Sequence, residues 1–361
     1  MRKSRVFLSI LILFSVLVPV AYAADEATYS YTLSYTFENE GAEPLTLIPE
    51  DYTLPLFINN TWQTVTIVNS SIPYTIVELD VDGNMGILME VDPELPPGGA
   101  LSYTVEYLIE STEQERPEFS LAEGNNEIPV GLVTKYTGST ETFPKDDDTI
   151  RETAFRAAGD AETVLGVVSN LLDYVTKNTT YRNFETPRYP LQTLSENLGD
   201  CDDQSILLIS MCRSLGIPAY LKVGIVVNPA IQDTDTSWDG HLTNIADGIG
   251  WHGWAMIYIP PWGWVPVDLT LVSEDTGLEY IRNAPEYNVN LIEVLNVSDQ
   301  AYIGGTLETR ERLINSTLHV TVDDRADQIN DRGLVTETYV MLGIGAALAV
   351  AIFIMFRASN E

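Results

Sequence analysis

Near the N-terminus the chain alternates strictly between two kinds of side chain. From Tyr29 to Phe37 every second residue is aromatic or leucine, and each residue between is serine or threonine. A period of two gives a β-strand one apolar face and cannot give a helix one, because the helical period is 3.6. Leu101–Ile109 repeats the apolar positions, and shorter candidate strands lie at 62–68, 76–81 and 86–91. These features predict an antiparallel β-sandwich domain over residues 24–140.

Both ends of the chain carry long apolar segments. Residues 1–23 combine a basic start, an apolar run and an Ala-Tyr-Ala ending, which is typical of a cleaved signal peptide. Residues 339–356 contain no charge and are just long enough for a transmembrane helix, followed by a short cytoplasmic tail at 357–361. We therefore expect a single-pass protein of the cell membrane, held by one C-terminal helix, with most of the chain outside the cytoplasm.

Charge and cysteine content limit the partners and the covalent cross-links that this protein can have. The formal net charge is −33, and it becomes −36 once the three basic residues of the signal peptide are removed. So acidic a surface excludes nucleic acid as a partner, since phosphate binding requires a basic face. Cys201 and Cys212 are the only cysteines, and on one helix they would lie about 16 Å apart, too far for a disulfide bond. The thiols are therefore expected to be free.

The pattern changes after residues 138–148, where Gly, Ser, Thr and Asp replace the apolar alternation. Two helices are predicted before residue 178, and a third begins at Cys201; strands follow at 219–228, 254–259 and 264–270. Helices followed by strands, without β-α-β alternation, indicate an α+β domain, assigned here to residues 145–300. Residues 301–338 are expected to add strands and then a polar stalk, Asp323–Thr338.

Cys201 stands at the predicted start of a helix. Asp200 has the side chain of an N-cap, and Gly216 with Pro218 ends the helix. Unpaired backbone N–H groups there would lower the thiol pKa and stabilise an oxyanion beside the sulfur. The alternative is that Cys201 is simply a small buried residue that begins a core helix.

A second chemical stretch runs from Trp251 to Thr270 and reads as a hairpin with a turn at 260–263. His252 near its start and Asp268 near its end fall roughly opposite each other, so the carboxylate could orient the imidazole as a general base. The chain has only two other histidines. His241 lies in an apparent polar loop, Gln232–Gly250, and His319 lies much later in the chain, so His252 is the favoured base.

Three motifs occur in one order: Gly-Asp-Cys with Leu-Gly-Ile-Pro-Ala after its helix, His-x-Trp-x-x-x-Tyr-x-Pro from His252, and Gly-Trp-x-Pro-x-Asp-x-Thr from Gly263. Over about residues 150–275 the chain resembles the transglutaminase-like superfamily. The resemblance implies a papain-like fold with Cys201 as nucleophile, His252 as general base and acid, and Asp268 as the orienting acid. Gly253 departs from the alanine that the family often has.

The implied reaction is acyl transfer from a protein or peptide amide through a Cys201 thioester, either to water or to an amine. The backbone N–H of Cys201 is the first oxyanion donor, and Tyr181 and Gln192 are candidates for the second. No cofactor or metal is expected, since the acidic residues Asp233, Asp235 and Asp239 do not fit a calcium loop. The alternative function is a catalytically silent cell-surface binding or scaffold protein of the same fold. The oligomeric state is left open.

Overall fold

The computed structural model describes residues 26–329, and its first part consists of β-strands. They are β1 (Glu26–Asn39), β2 (Leu45–Thr46), β3 (Thr53–Pro55), β4 (Gln63–Ser70), β5 (Tyr74–Glu78), β6 (Met85–Met89), β7 (Glu94–Leu95) and β8 (Ala100–Thr112). A 3₁₀ turn at Pro49–Tyr52 precedes β3. The strands predicted from alternation and from the shorter apolar runs are confirmed.

The second part begins with helices and continues into a long hairpin. Its helices are α1 (Val130–Tyr136), α2 (Asp148–Ala158), α3 (Val164–Asn178), α4 (Pro190–Glu196), α5 (Cys201–Ser214), α6 (Gly277–Arg282) and α7 (Tyr302–Ile314). Its strands are β9 (Thr180–Tyr181), β10 (Leu198–Gly199), β11 (Ala219–Ser237), β12 (Leu242–Ile259), β13 (Gly263–Val267), β14 (Leu291–Val297) and β15 (Leu318–Ile329). The predicted α+β class is confirmed.

One large sheet passes through both parts. Its strand order is β14-β11-β12-β15-β1-β8-β4, and β13 pairs with β12 beside this path. The strand that joins the two parts is β15, which runs parallel to β12 on one side and antiparallel to β1 on the other. The sheet therefore crosses the boundary near residue 140 that the change in composition suggested.

A three-stranded sheet, β3-β6-β5, packs against the N-terminal end of the large sheet. Leu54 and Ile87 of the small sheet share one core with Tyr31 and Tyr107, and the rings of Tyr31 and Phe57 lie 5.5 Å apart. Two β layers thus exist in this region, as expected for a sandwich. The larger layer is not confined to residues 24–140, because β15 forms hydrogen bonds along the open edge of β1 and extends the sheet.

Helix α5 is the buried centre of the second part. Every residue from Asp203 to Arg213 is buried, because the helix is covered by other helices on one side and by the large sheet on the other. The Arg213 guanidinium lies inside this core and donates to the carbonyls of Ala219 at 2.8 Å, Gly138 at 3.1 Å and Ser298 at 3.2 Å. It thereby ties the end of the helix to three other segments.

The structure corrects the predicted stalk. Residues up to Ile329 form β15, in the middle of the large sheet, and α7 precedes it. Val320, Val322 and Ala326 alternate inward, but a buried carboxylate, Asp324, interrupts the row. That polar interruption made an internal strand resemble a solvated segment.

The predicted polar loop Gln232–Gly250 is also corrected. Gln232–Ser237 pairs with Leu242–Asp247, so β11 and β12 form an extended hairpin with a tight turn at Trp238–Gly240. Between residues 26 and 329 no helix is both long and apolar enough to cross a membrane. The predicted signal peptide at 1–23 and transmembrane helix at 339–356 lie outside the described residues.

Candidate active site

Cys201 is the first residue of α5. Asp200 is the N-cap, and its carboxylate accepts from the backbone N–H of Asp203, while the Asp203 carboxylate accepts from the N–H of Asp200 at 3.3 Å. This reciprocal capping box fixes the first turn of the helix. Cys201 itself is half-buried and forms no disulfide bond. The predicted helix start and the predicted free thiols are both confirmed.

The loop before α5 donates backbone hydrogen bonds to Asp200 and Asp203, the two carboxylates of the capping box. The backbone N–H of Phe184 donates to Asp200 at 3.1 Å, and that of Arg188 donates to Asp203 at 2.6 Å. These groups place fixed donors around the acidic residues that flank the cysteine. The helix start is therefore held in position before any substrate binds.

His252 lies in β12, and Asp268 follows the end of β13. The Nε2 atom of His252 is hydrogen-bonded to the Oδ2 atom of Asp268, and both side chains are almost completely buried. The sequence predicted that they face each other, and the structure brings them together. The strand register, with Ala255 opposite Val267, makes the pair diagonal rather than directly opposite.

The second carboxylate oxygen of Asp268 is also occupied. It accepts from the backbone N–H groups of Thr270 at 2.8 Å and Leu271 at 2.9 Å. Burial opposes ionisation, but the charge and hydrogen bond of His252 together with these two N–H groups lower the pKa of Asp268 below its usual value. A carboxylate can only accept, so Nε2 carries a proton and Nδ1 is the nitrogen that can take one from a thiol.

Strand β12 passes very close to the start of α5. A Cβ atom added at Gly253 would lie 2.9 Å from that of Asp202, so an alanine there would require the two elements to separate slightly. Ser205 donates to the carbonyl of Gly253 at 3.3 Å and to that of Cys201 at 2.7 Å. The backbone N–H of Gly253 also lowers the pKa of Cys201. Gly253, the residue that follows His252, therefore links β12 to the first turn of α5.

The thiol pKa differs from the expectation based on helix position alone. Burial, and then the nearby Asp202 carboxyl, raise the pKa of Cys201, while the N–H groups of Gly253 and Asp202 lower it by less. The net shift is upward, so helix position alone does not activate this thiol. A proton must leave as the sulfur reacts, which is the task that His252 can perform.

A buried ionic cluster behind His252 was missed by sequence reasoning. The ring of Trp254 stacks against that of His252, with centroids 5.8 Å apart, and its indole N–H donates to Glu286. Glu286 lies 3.5 Å from Lys222, which also contacts Glu293 at 2.7 Å. Isolated charges in β11 and β14 carry no periodic signal, so only the fold reveals that they meet.

The other sequence candidates have different places. The His241 ring forms a hydrogen bond with the carbonyl of Leu318 and stacks on the His319 ring, with the two centroids 4.4 Å apart. Neither ring therefore contacts Asp268. Within residues 26–329, the only three potential metal ligands found within 4.8 Å of one another are Asp200, Cys201 and Asp202. Protein N–H and O–H groups already bond both of these carboxylates, and Asp233, Asp235 and Asp239 form no such group.

Comparison with known families finds one family that the central segment matches. Residues 151–269 match the sequence profile of the transglutaminase-like superfamily. This segment is therefore similar to that superfamily. The match contains Cys201, His252 and Asp268 and includes α5, β12 and β13. No curated protein matches the sequence.

Solved structures extend the likeness beyond that core. A Cytophaga hutchinsonii protein, provisionally assigned as a cysteine protease, is 15% identical with a TM-score of 0.54, over 85% of this chain and 92% of its own. At that identity the likeness shows a shared fold. A provisionally assigned Parabacteroides distasonis protease is 12% identical with a TM-score of 0.24, over 69% of this chain and 68% of its own. LapG of Legionella pneumophila is 13% identical with a TM-score of 0.24, over 47% of this chain and 96% of its own.

Proposed function

We propose that this protein is a cysteine enzyme that transfers acyl groups from protein or peptide amides through a thioester on Cys201. The observation that carries the proposal is the buried His252–Asp268 pair, because His252 lies in the strand that packs against the first turn of the Cys201 helix. A bare core helix would not require a nearly buried histidine held by a carboxylate with two further backbone donors. The three residues supply nucleophile, base and orienting acid.

The reaction follows from these positions. As the Cys201 sulfur attacks the amide carbon, its proton passes to Nδ1 of His252, and the carbonyl electrons move to oxygen. The tetrahedral oxyanion accepts from the backbone N–H of Cys201. When the C–N bond breaks, His252 returns the proton to the leaving amine, and the thioester remains. Water or an amine then attacks the thioester, and His252 removes a proton from that second nucleophile. The C–S bond breaks, and His252 returns a proton to the Cys201 sulfur.

Tyr181 is the second oxyanion donor in this proposal. Burial, followed by the nearby Cys201, raises the pKa of Tyr181 to about 12, so its hydroxyl keeps its proton at neutral pH. Gln192, the other candidate, uses its side-chain carbonyl to accept from the backbone N–H of Tyr189 at 3.1 Å within the cap of α4. The nearness of Tyr181 to Cys201 favours Tyr181 over Gln192.

The test is to trap the acyl group. The full chain is incubated with denatured casein and a biotinylated alkylamine, and the casein is analysed by mass spectrometry. New peptide termini indicate a peptidase, deamidated glutamine an amidase, and biotin incorporation a transamidase. Cys201→Ser should abolish whichever product forms, whereas Cys212→Ser, in the same helix but fully buried, is the matched control. Equal product from the Cys201→Ser variant would refute the nucleophile assignment.

We also propose that the active site faces away from the cytoplasm, with residues 339–356 as a membrane anchor. The apolar character of residues 1–23 and 339–356 supports this orientation. Protease added to intact cells should degrade an epitope inserted in the exposed loop at residues 81–83 but spare one placed after residue 357. Protection of both epitopes would contradict the proposed orientation.

A further inference from the structure

A cavity of about 310 Å³ lies between the large sheet and α7, outside the triad. Several aromatic side chains and four charged ones form its walls, among them Tyr35, Phe37, Trp238, Trp251, Arg312 and Asp324. Trp251 is 46% exposed, so the cavity is open to solvent at that wall. A small molecule or a side chain of a bound peptide can therefore reach it.

Asp324 is the unusual group in this cavity, because it is a nearly buried carboxylate in the middle of a sheet. It is 4% exposed. Tyr31 donates to one oxygen and the indole N–H of Trp251 donates to the other at 3.3 Å. Within residues 26–329, no lysine, arginine or histidine forms an ion pair with it. Each oxygen can accept a further hydrogen bond.

The charges around the cavity leave a negative excess. Arg312 is held by Asp51, to which it donates twice, once at 3.3 Å. The charges of Arg312 and Asp51 cancel. Glu50 and Asp324 also line the cavity, and their carboxylates supply the negative excess. A carboxylate beside aromatic faces favours an organic cation, because the ring quadrupole attracts positive charge and the anion neutralises it.

The cavity adjoins the active site through two elements. Trp251 directly precedes His252 in β12. Tyr302, the first residue of α7, donates to Asp202 at 3.1 Å, next to Cys201. Further along the same helix, Thr309 and Arg312 line the cavity. At about 1.5 Å per residue, Thr309 lies about 10 Å from Tyr302, a distance that about three extended peptide residues span.

We propose that this cavity is a subsite for an organic cation, an ammonium or guanidinium group, which pairs with Asp324 and lies against Trp238 and Trp251. The cation can be the side chain of a basic residue in the acyl donor or a free amine that accepts the acyl group. Both roles rest on the proposed function, since both molecules would react at Cys201. Binding itself requires no turnover, so it can be tested separately.

The test compares two ligands that differ in one group. N-acetyl-lysine methylamide carries an ammonium, and N-acetyl-norleucine methylamide is its neutral counterpart. Calorimetric titration of the full chain should give an affinity at least about tenfold higher for the lysine compound. Asp324→Asn should lower that affinity about tenfold or more. Asp323→Asn is the matched control, since its carboxylate lies on the other face of β15 and pairs with Arg325.

A third ligand identifies the source of the cation. If 1,5-diaminopentane binds as tightly as the lysine compound, the site accepts free amines; tighter binding of the lysine compound assigns it to a peptide substrate. If Asp324→Asn does not fold, the two-ligand comparison in the wild type and the Trp251→Leu variant decide. Equal affinities for the lysine and norleucine compounds would overturn the proposal, whatever the activity of Cys201 proves to be.

Discussion

Asp268→Asn is the substitution that tests the catalytic geometry most directly. In the wild type, one oxygen of Asp268 accepts from two backbone N–H groups and the other bonds Nε2 of His252. Backbone N–H groups can only donate, so the Asn carbonyl must take the same position. Its NH₂ group then faces the ring, which must release the Nε2 proton and carry it on Nδ1. A protonated Nδ1 cannot receive the thiol proton.

The expected loss of Cys201 reactivity follows from the rate enhancement that a general base contributes. Base catalysis contributes a factor of about 100 or more, which corresponds to about 2.8 kcal/mol at about 1.4 kcal/mol per factor of ten. Asp268→Ala also loses the orientation of the ring, but it leaves His252 free to adopt either tautomer. The Asn variant should therefore be less reactive than the Ala variant, although Asn is the closer match in shape.

The assay needs no substrate. The rate of alkylation of Cys201 by iodoacetamide is measured against pH by peptide mapping of the full chain. Cys212 is fully buried and serves as the internal control for unfolding. Thermal unfolding of each variant confirms that the fold is retained. If the Asn variant reacts as fast as the wild type, or faster than the Ala variant, the tautomer argument is wrong.

Three further substitutions test the surroundings of the site. Asp202→Asn removes a group that, after burial, raises the pKa of Cys201, so the alkylation profile should move to lower pH; an unchanged profile would contradict that role. Burial, offset by Lys222 and reinforced by Glu293, raises the pKa of Glu286 to about 8. The folded state therefore binds more protons than the unfolded state above the ordinary carboxyl pKa, and the free energy of unfolding should fall as the pH rises towards 8. Denaturant titrations should show that Glu286→Gln removes this part of the slope, and an identical slope in both proteins would count against it. Arg213→Ala leaves three carbonyls without a donor and should cost at least about 3 kcal/mol of unfolding free energy, measured by urea titration. Arg151→Ala, on the surface, should change stability by less than about 0.5 kcal/mol, and similar losses for both would refute the role of Arg213.

Local signals predicted the local features well. The strict alternation at Tyr29–Phe37 corresponds to β1, and the N-cap at Asp200 corresponds to the start of α5. Both depend on a short run of backbone, where periodicity and capping dominate the energetics. The pairing of His252 with Asp268 was also within reach, because a hairpin brings residues on neighbouring strands together.

Features made by distant segments were not predictable from patterns. The buried Lys222–Glu286–Glu293 cluster joins two strands and a turn, and Asp324 acquires its partners only because β15 lies between β12 and β1. In each case a polar residue was buried by tertiary contacts, while sequence patterns assign such residues to the surface. The polar stretch before His252 has the pattern of a loop for a different reason: its residues are mostly exposed or half-buried, and backbone hydrogen bonds pair them into the extended hairpin.

The sequence by itself determined the elements that carry Cys201, His252 and Asp268, because helix caps, strand alternation and turn residues act over a few neighbouring positions. Tertiary structure decided how those elements meet. It packed the start of α5 against Gly253 of β12, raised the thiol pKa through burial, and placed an acidic aromatic cavity beside the site. Burial and long-range charge depend on the whole packed chain, which no local pattern records.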